Sequence, residues 1–331
     1  MAHPTLLALA AIGAIAVLRF VHAVTQFLTF HLLTPSSPLQ KYKRANTTAY
    51  ALITGSSAGI GRGIAQELIA QGFGVILHSH LPDELASTAA SLRKSHPAAQ
   101  IHTLTLDALT ATPSSLSAAL EPLLTTLPIT ILVNNIGGNP VAQPAFRAHG
   151  TYTSEDVDAV INQNARFMAR LTAFLLPTLT ASPLAPRQPG ERSLIVTLSS
   201  GAHVGVPWLV MYGATKAFNR AFGVGLAREL EGCPETAHID SIVVVPGEVV
   251  SQGNCLDVPA GSPTWDQFGR DIVRKVDGAV GRGWREMHPF WRHGVENVLL
   301  TIVPEGIRTK GVGDQLGRKK RAWDESYAKS R

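Results

Sequence analysis

The spacing of apolar residues divides this chain into two unlike parts. Residues 6–18 are an uninterrupted apolar run, and the chain stays mostly apolar to Leu33 before Pro35, Ser36, Ser37 and Pro38 end any helix. As a helix, residues 5–33 would extend about 43 Å at ~1.5 Å per residue, enough to cross a bilayer with tilt. From residue 47 the pattern changes. Short apolar runs at 49–53, 75–77, 101–106, 128–133, 193–198 and 239–245 read as six buried strands. Helical periodicities lie between them: Ile64, Ala65, Leu68 and Ile69, then residues 157–176 and 212–230. Strands alternating with helices predict an α/β fold, a doubly wound parallel sheet with helices on both faces, preceded by the N-terminal apolar helix.

In such a sheet ligands bind beyond the carboxyl ends of the strands. The polar motifs of this chain fall at those ends. Thr54-Gly55-Ser56-Ser57-Ala58-Gly59-Ile60-Gly61 follows the first strand and opens a helix. Glycines at 55, 59 and 61 permit a tight turn, close approach of backbone to a pyrophosphate, and helix–strand packing. The helix N-terminus adds free N–H groups and a partial positive charge for the anion. Asn134-Asn135-Ile136-Gly137 ends the fourth strand, Ser199-Ser200-Gly201 the fifth, and Pro246-Gly247 the sixth. Any one of these is explained by turn chemistry alone; the set of them at one edge is better explained by a composite site.

Tyr212-Gly213-Ala214-Thr215-Lys216 begins a helix and puts Tyr212 and Lys216 four residues apart on one face. A tyrosine is a poor acid or base near neutrality, its ordinary pKa being about 10. A lysine ammonium beside it favours the phenolate and is expected to lower that pKa. A serine at the end of the fifth strand can hydrogen-bond a substrate carbonyl oxygen, and Asn164 can hold a water connected to the lysine.

Together these segments, from residue 49 to about 251, resemble the short-chain dehydrogenase/reductase family, whose glycine loop has the TGxxxGxG form. The resemblance implies a Rossmann-type fold and a catalytic tetrad of Asn164, Ser200, Tyr212 and Lys216, with Ser199 the alternative serine. It implies cofactor contacts from Gly55, Ser57, Gly59, Ile60 and Gly61, from Asp107 near adenine and from Asn135 near its ribose. Lys216 and Tyr212 would border the nicotinamide ribose, and Val249 and Ser251 match the segment near the carboxamide. Arg170 matches a basic position of some relatives. At the end of the second strand the chain reads Leu77-His78-Ser79-His80, with no acid until Asp83. An acid there would repel a 2′-phosphate, so NADPH is expected rather than NAD, held at Ser79 and His80. The apolar N-terminus, the segment 161–164 and the extension after residue 262 are similar to the microsomal very-long-chain 3-oxoacyl-CoA reductases and their steroid dehydrogenase relatives. That implies an NADPH-dependent reduction of an apolar, lipid-like ketone. Two alternatives stay open: a ketoreductase or alcohol dehydrogenase of specialised metabolism, and a non-catalytic cofactor-binding regulator.

Composition narrows the setting. The net charge is +5, from 29 Lys and Arg against 24 Asp and Glu, with the excess near the ends. Lys41, Lys43 and Arg44 follow the apolar segment, and Lys319, Lys320 and Arg321 lie in the tail. That distribution suits a membrane surface better than nucleic acid, although a solvated tail explains the second cluster equally well. The apolar segment reads as a single membrane anchor; a helix lying in the interface and a cleaved secretory signal are the alternatives. If it spans, the basic residues after it favour a cytosolic catalytic domain, and the resemblance implies the endoplasmic reticulum. Two cysteines make no disulfide framework and agree with a reducing compartment. Twelve scattered histidines form no HExxH pair, so no metal is expected. Arg282, Arg285 and Arg292 either steer an acyl-CoA phosphate or solvate a face. Residues 295–303 are too short to cross a membrane and read as a packing helix. The expected division is residues 1–45 as anchor and linker, 46–310 as the Rossmann-type domain and 311–331 as a basic tail, with association into a homo-oligomer left open.

Overall fold

The computed structural model describes residues 4–33, 39–138 and 144–329. Pro35 to Pro38, expected to end the first helix, lie outside the described residues. In chain order the elements are α1 (Pro4–Leu28), β1 (Tyr50–Ile53), α2 (Gly59–Ala70), β2 (Gly74–Ser79), α3 (Pro82–Ser95), β3 (Ile101–Thr105), α4 (Pro113–Leu124) and β4 (Ile129–Asn134). There follow α5 (Ser154–Ile161), α6 (Phe167–Ala181), β5 (Ser193–Leu198), α7 (Val210–Gly232), β6 (Ile239–Val244), α8 (Trp265–Gly281), β7 (Glu286–Met287), α9 (Trp291–Ile302) and α10 (Glu305–Lys329).

The strands form one seven-stranded sheet in the order β3-β2-β1-β4-β5-β6-β7, every pair parallel. Chain order reverses between β1 and β4, the position where a doubly wound sheet opens a crevice for ligands. Successive residues of a strand face opposite layers. Ala51 and Ile53 join a core with Ile64, Leu68, Leu85, Phe268 and Ile272, from α2, α3 and α8. Tyr50 and Leu52 join the other, with Leu116, Leu120, Leu171 and Leu175 from α4 and α6. Both faces are therefore covered, which is why the strand sequences show continuous apolar runs. The six expected strands are found with ends shifted by a residue or two. β7 was not anticipated, since two residues carry no periodicity. The expected helix 157–176 is broken by a π-helical turn, Asn162–Arg166, between α5 and α6.

Helices α2 and α8 approach closely, and glycine makes it so. A Cβ added at Gly63 would lie 2.7 Å from the Trp265 carbonyl oxygen, and one at Gly269 would lie 2.6 Å from the Gly63 backbone.

The N-terminal helix has no buried residue, yet its end is fastened to the body. Phe30 is 1% exposed, belongs to the core, and lies 4.8 Å from the Trp284 ring. Leu39 and Tyr42 are buried too, and the Tyr42 hydroxyl donates to Asp240 at 2.8 Å. Lys41 pairs with Asp240 and Asp277, and buried Arg44 donates to the Arg192 carbonyl and to Ser182 and Ser193. The segment expected as a linker is thus sewn into the sheet's amino-terminal edge. At the other end, residue 311, the expected start of a tail, lies inside α10. Lys319 is buried and Lys320 pairs with Asp324. Lys41, Arg44, Lys319 and Lys320 therefore have partners within the chain, which their clustering in sequence did not reveal.

Candidate active site

Thr54 hands the chain from β1 into the glycine loop, with its N–H on the Val133 carbonyl. Gly55 and Gly59 have φ of +62° and +56°, the left-handed region that side chains disfavour. A Cβ at Gly61 would lie 2.4 Å from the Gly55 carbonyl oxygen, so only glycine lets α2 start this close to its loop. Among the described residues nothing lies within 4 Å of a Cβ placed at Gly59, and Ala58 supplies no side-chain cap. The outer side of the loop is open, with N–H groups of the α2 N-terminus available to an anion.

Asn135 ties this loop to β4. Its side-chain amide donates to the Thr54 and Gly55 carbonyls at 2.9 and 3.0 Å, and its backbone N–H donates to the Thr54 hydroxyl. Ile60 packs against the core. Ser57 and Ser79 meet through their hydroxyls at 3.1 Å, uniting the loop with the end of β2. Ser57 also donates to Glu84 at 3.3 Å, an acid on α3 that sequence spacing did not single out. His80 is exposed beside them, whereas His78 is buried and stacks on Phe167. Burial holds His78 down at about 4, so it is neutral, and its Nδ1 accepts from the Gly55 N–H at 3.4 Å. Asp107 follows β3 and accepts from the Leu109 N–H. Arg170 is not gathered to the loop. Its guanidinium donates to the Ala111 carbonyl and lines a separate cavity of about 210 Å³ with Asn162 and Arg166.

The carboxyl end of β5 brings the other groups together. Ser199 is buried and its hydroxyl donates to the Lys216 carbonyl at 2.7 Å, so it serves α7 rather than a ligand. Ser200 is half-buried and not tied to α7: its hydroxyl accepts from the Ala202 N–H and draws the Tyr212 pKa down. One turn along α7, the Lys216 ammonium lies 5.6 Å from the centre of the Tyr212 ring and donates to the Leu198 carbonyl at 3.4 Å. A Cβ at Gly137 would lie 2.3 Å from Lys216 Nζ, so the glycine after Asn135-Ile136 makes room for this ammonium.

Burial, not mutual attraction, dominates the titration of this pair. It pushes the Tyr212 hydroxyl above its ordinary value, with Ser200 opposing and Glu248 adding to the rise, and it depresses Lys216 to about 8. In the protein by itself burial therefore raises the Tyr212 pKa, while the lowering expected from Lys216 together with the nicotinamide's positive ring belongs to the cofactor-bound state. Asn164 is fully buried; its amide accepts from the Gly138 N–H and donates to the Gly138 and Val160 carbonyls. Both its N–H donors are thus spent on backbone, and the side chain clamps the strand end beside Lys216.

After β6 the chain runs Pro246-Gly247-Glu248-Val249-Val250-Ser251. Val249 is buried in the core, and Ser251 pairs its backbone with Asn254. Glu248 accepts from Asn254 and from Lys319 of α10. Nothing in the sequence announced that contact, which joins residues 71 positions apart. α10 also packs Gly317 against Trp208 and Trp323 against Phe146. Trp208, between Ser200 and Tyr212, has φ of +60°, a strained backbone for a bulky residue. Arg285 pairs with Glu231, Arg292 with Glu296, and Arg282 stands over Phe30 and Trp284, so each has an internal partner.

The model of the short chain dehydrogenase family matches residues 49–254, well over half of the chain. The chain belongs to that family. Among curated members of the family, it is 26% identical over 335 aligned positions to a very-long-chain 3-oxoacyl-CoA reductase of Mycosarcoma maydis, covering 98% of this chain and 91% of the relative. The protein of the same name from Coprinopsis cinerea is 28% identical, with 89% and 84% covered. Among solved structures, a 7β-hydroxysteroid dehydrogenase superposes with a TM-score of 0.64 at 18% identity, covering 80% of this chain and 96% of that one. A short-chain dehydrogenase from Sphingobium yanoikuyae in complex with NADPH gives 0.59 at 23% identity, covering 78% and 97%. These likenesses match the short-chain dehydrogenase fold described above, and the chain is an oxidoreductase of that family.

Proposed function

We propose that this member of the family is an NADPH-dependent ketone reductase acting on an apolar, lipid-like carbonyl such as a 3-oxoacyl-CoA. The observation that carries the reading is the Lys216 ammonium 5.6 Å from the centre of the Tyr212 ring, one turn along α7, with Ser200 at the end of β5 drawing the Tyr212 pKa down. The names of the curated relatives support the substrate class. The residues present fit a dinucleotide. The open loop above Gly59 and the uncapped start of α2 would take the pyrophosphate, Asp107 and Asn135 would border the adenosine, and Lys216, Val249 and Ser251 the nicotinamide end. When bound, the reduced nicotinamide supplies the hydride.

The protein's own groups do the rest. Ser200 donates to the substrate carbonyl oxygen and holds it against Tyr212. Tyr212 delivers its proton to that oxygen as negative charge develops there. Its high pKa keeps it protonated and able to donate. The resulting phenolate is stabilised by the Lys216 ammonium, which Gly137 and Asn164 hold in place. Trp208, against which Gly317 of α10 packs, would border the substrate. Glu84, beside Ser57 and Ser79, is the feature that favours NAD instead, since a carboxylate there would repel a 2′-phosphate. The continuous helix of 30 residues from Pro4 to Leu33, α1 and the turn after it, is unburied over its most apolar stretch and supports anchoring in a membrane, which we assign to the endoplasmic reticulum with the body in the cytosol.

The test is consumption of NADPH, with NADH in parallel, against apolar ketones and 3-oxoacyl-CoAs. Tyr212→Phe is expected to lower kcat by at least about 10²-fold with cofactor binding retained. Full turnover by that variant would remove Tyr212 from the mechanism, and a preference for NADH would overturn the cofactor assignment.

A further inference from the structure

α9 has its apolar side turned outward. Trp291, Val295, Val298, Leu299 and Ile302 follow one another at helical spacing along a single stripe, and all are between 37% and 69% exposed. The buried residues of this helix are instead His293 and Gly294. A surface helix ordinarily buries its apolar stripe, so this one is the wrong way round for water. Its position gives the reason. A Cβ at Gly294 would lie 3.1 Å from the Phe27 ring, so the end of α1 rests directly on α9. The apolar surface of α1, which is unburied throughout, therefore adjoins the stripe of α9.

We infer that α9 is an interfacial docking helix, lying in the surface of the same lipid bilayer that α1 enters. The inference rests on the reading of α1 as a membrane anchor. Twelve residues make about 18 Å of helix, too short to cross a hydrocarbon core of about 30 Å, so α9 lies along the surface rather than through it. Trp291, at its first turn, is of the type enriched at the lipid–water boundary. A second protein copy would have to cover the flank of α1 as well as α9, whereas lipid covers both with one continuous phase. The inner side of α9 touches the candidate site: His293 Nε2 lies 3.2 Å from the Glu248 carbonyl oxygen, and a Cβ at Gly247 would lie 2.6 Å from the His293 ring. The lipid surface is thereby held one helix diameter, about 10 Å, from the segment that closes the substrate side. An apolar ketone dissolved in the bilayer reaches the site without passing through bulk water.

The full chain, with exposed Cys233 and Cys255 changed to serine, is reconstituted into phosphatidylcholine vesicles. An environment-sensitive fluorophore is then placed at one cysteine at a time: Ile12→Cys in α1, Val298→Cys and Ile302→Cys in α9, and Ser95→Cys on the exposed end of α3. Labels at 12, 298 and 302 are expected to shift to the blue, to be quenched by nitroxide-bearing lipid and to resist iodide in the water; the label at 95 is expected to do the reverse. Adding Ile302→Asp is expected to abolish lipid quenching at 298 and to leave it intact at 12. If 12 is quenched by lipid but 298 and 302 by iodide, α9 faces water and the inference fails while the anchor stands. If 12 is also open to iodide, the anchor reading fails and the inference with it. Protection of 298 from both quenchers, with cross-linking between copies, would assign the stripe to a protein partner and overturn the inference.

Discussion

Lys216 is the residue whose surroundings set the behaviour of the candidate site. A buried ammonium loses its proton early, and here that happens at about 8 instead of 10.5. The charge that stabilises the Tyr212 phenolate is therefore complete below pH 8 and lost above it. The expected outcome is a kcat/KM profile for ketone reduction that bends downward as pH rises past about 8, measured over a range in which circular dichroism shows the fold intact. Stability runs the other way. Between about 8 and 10.5 the unfolded chain binds the proton that the folded chain has released, so this lysine destabilises the fold least at the alkaline end. Tyr212, Lys216 and the glycine loop were legible in sequence because their spacing is local. Ser200 was preferred to Ser199 on the family resemblance alone, because the use of the Ser199 hydroxyl by the Lys216 carbonyl depends on how α7 meets the end of β5. Glu84 was passed over for a similar reason: it reaches Ser57 only after α3 has folded back beside the loop.

At the scale of elements, strands and helices were read well because burial on both sheet faces gives long apolar runs and clear interruptions. The break between α5 and α6 was invisible, since one extra residue in a π-helical turn leaves the periodicity nearly unchanged. The contact of α2 with α8 was equally hidden; a glycine in a helix reads as a weakness until the partner backbone is seen. Gly63→Ala should drive a methyl group into the Trp265 carbonyl and part the two helices. A loss of about 1–3 kcal/mol is expected in urea unfolding, against near-neutrality for the same change at exposed Gly225, where nothing lies within 4 Å. Because α2 begins at the glycine loop, Gly63→Ala is also expected to weaken NADPH binding, read by fluorescence titration.

The whole molecule is closed by its ends. Phe30 brings the foot of α1 into the core, and Lys319 brings α10 to Glu248, so neither terminal region is an appendage. Composition suggested otherwise, since an apolar run and basic clusters are read locally and their partners lie far off in sequence. Phe30→Ala is expected to cost about 3–5 kcal/mol of the stability of the body itself, seen as a lower melting temperature of the detergent-solubilised full chain. An unchanged melting temperature would mean that α1 and the body are joined only by a tether.

The stitching of residues 39–44 also dictates an order of events during synthesis. This segment emerges from the ribosome early, but Arg44 waits for Ser182, Arg192 and Ser193, and Tyr42 for Asp240. α1 is thus free to find its environment while the sheet is still incomplete, and the fold locks only once β6 has been translated. A nascent chain stopped short of residue 240 would leave a buried-type tyrosine and the Lys41 ammonium unmet, a state suited to chaperones rather than to catalysis.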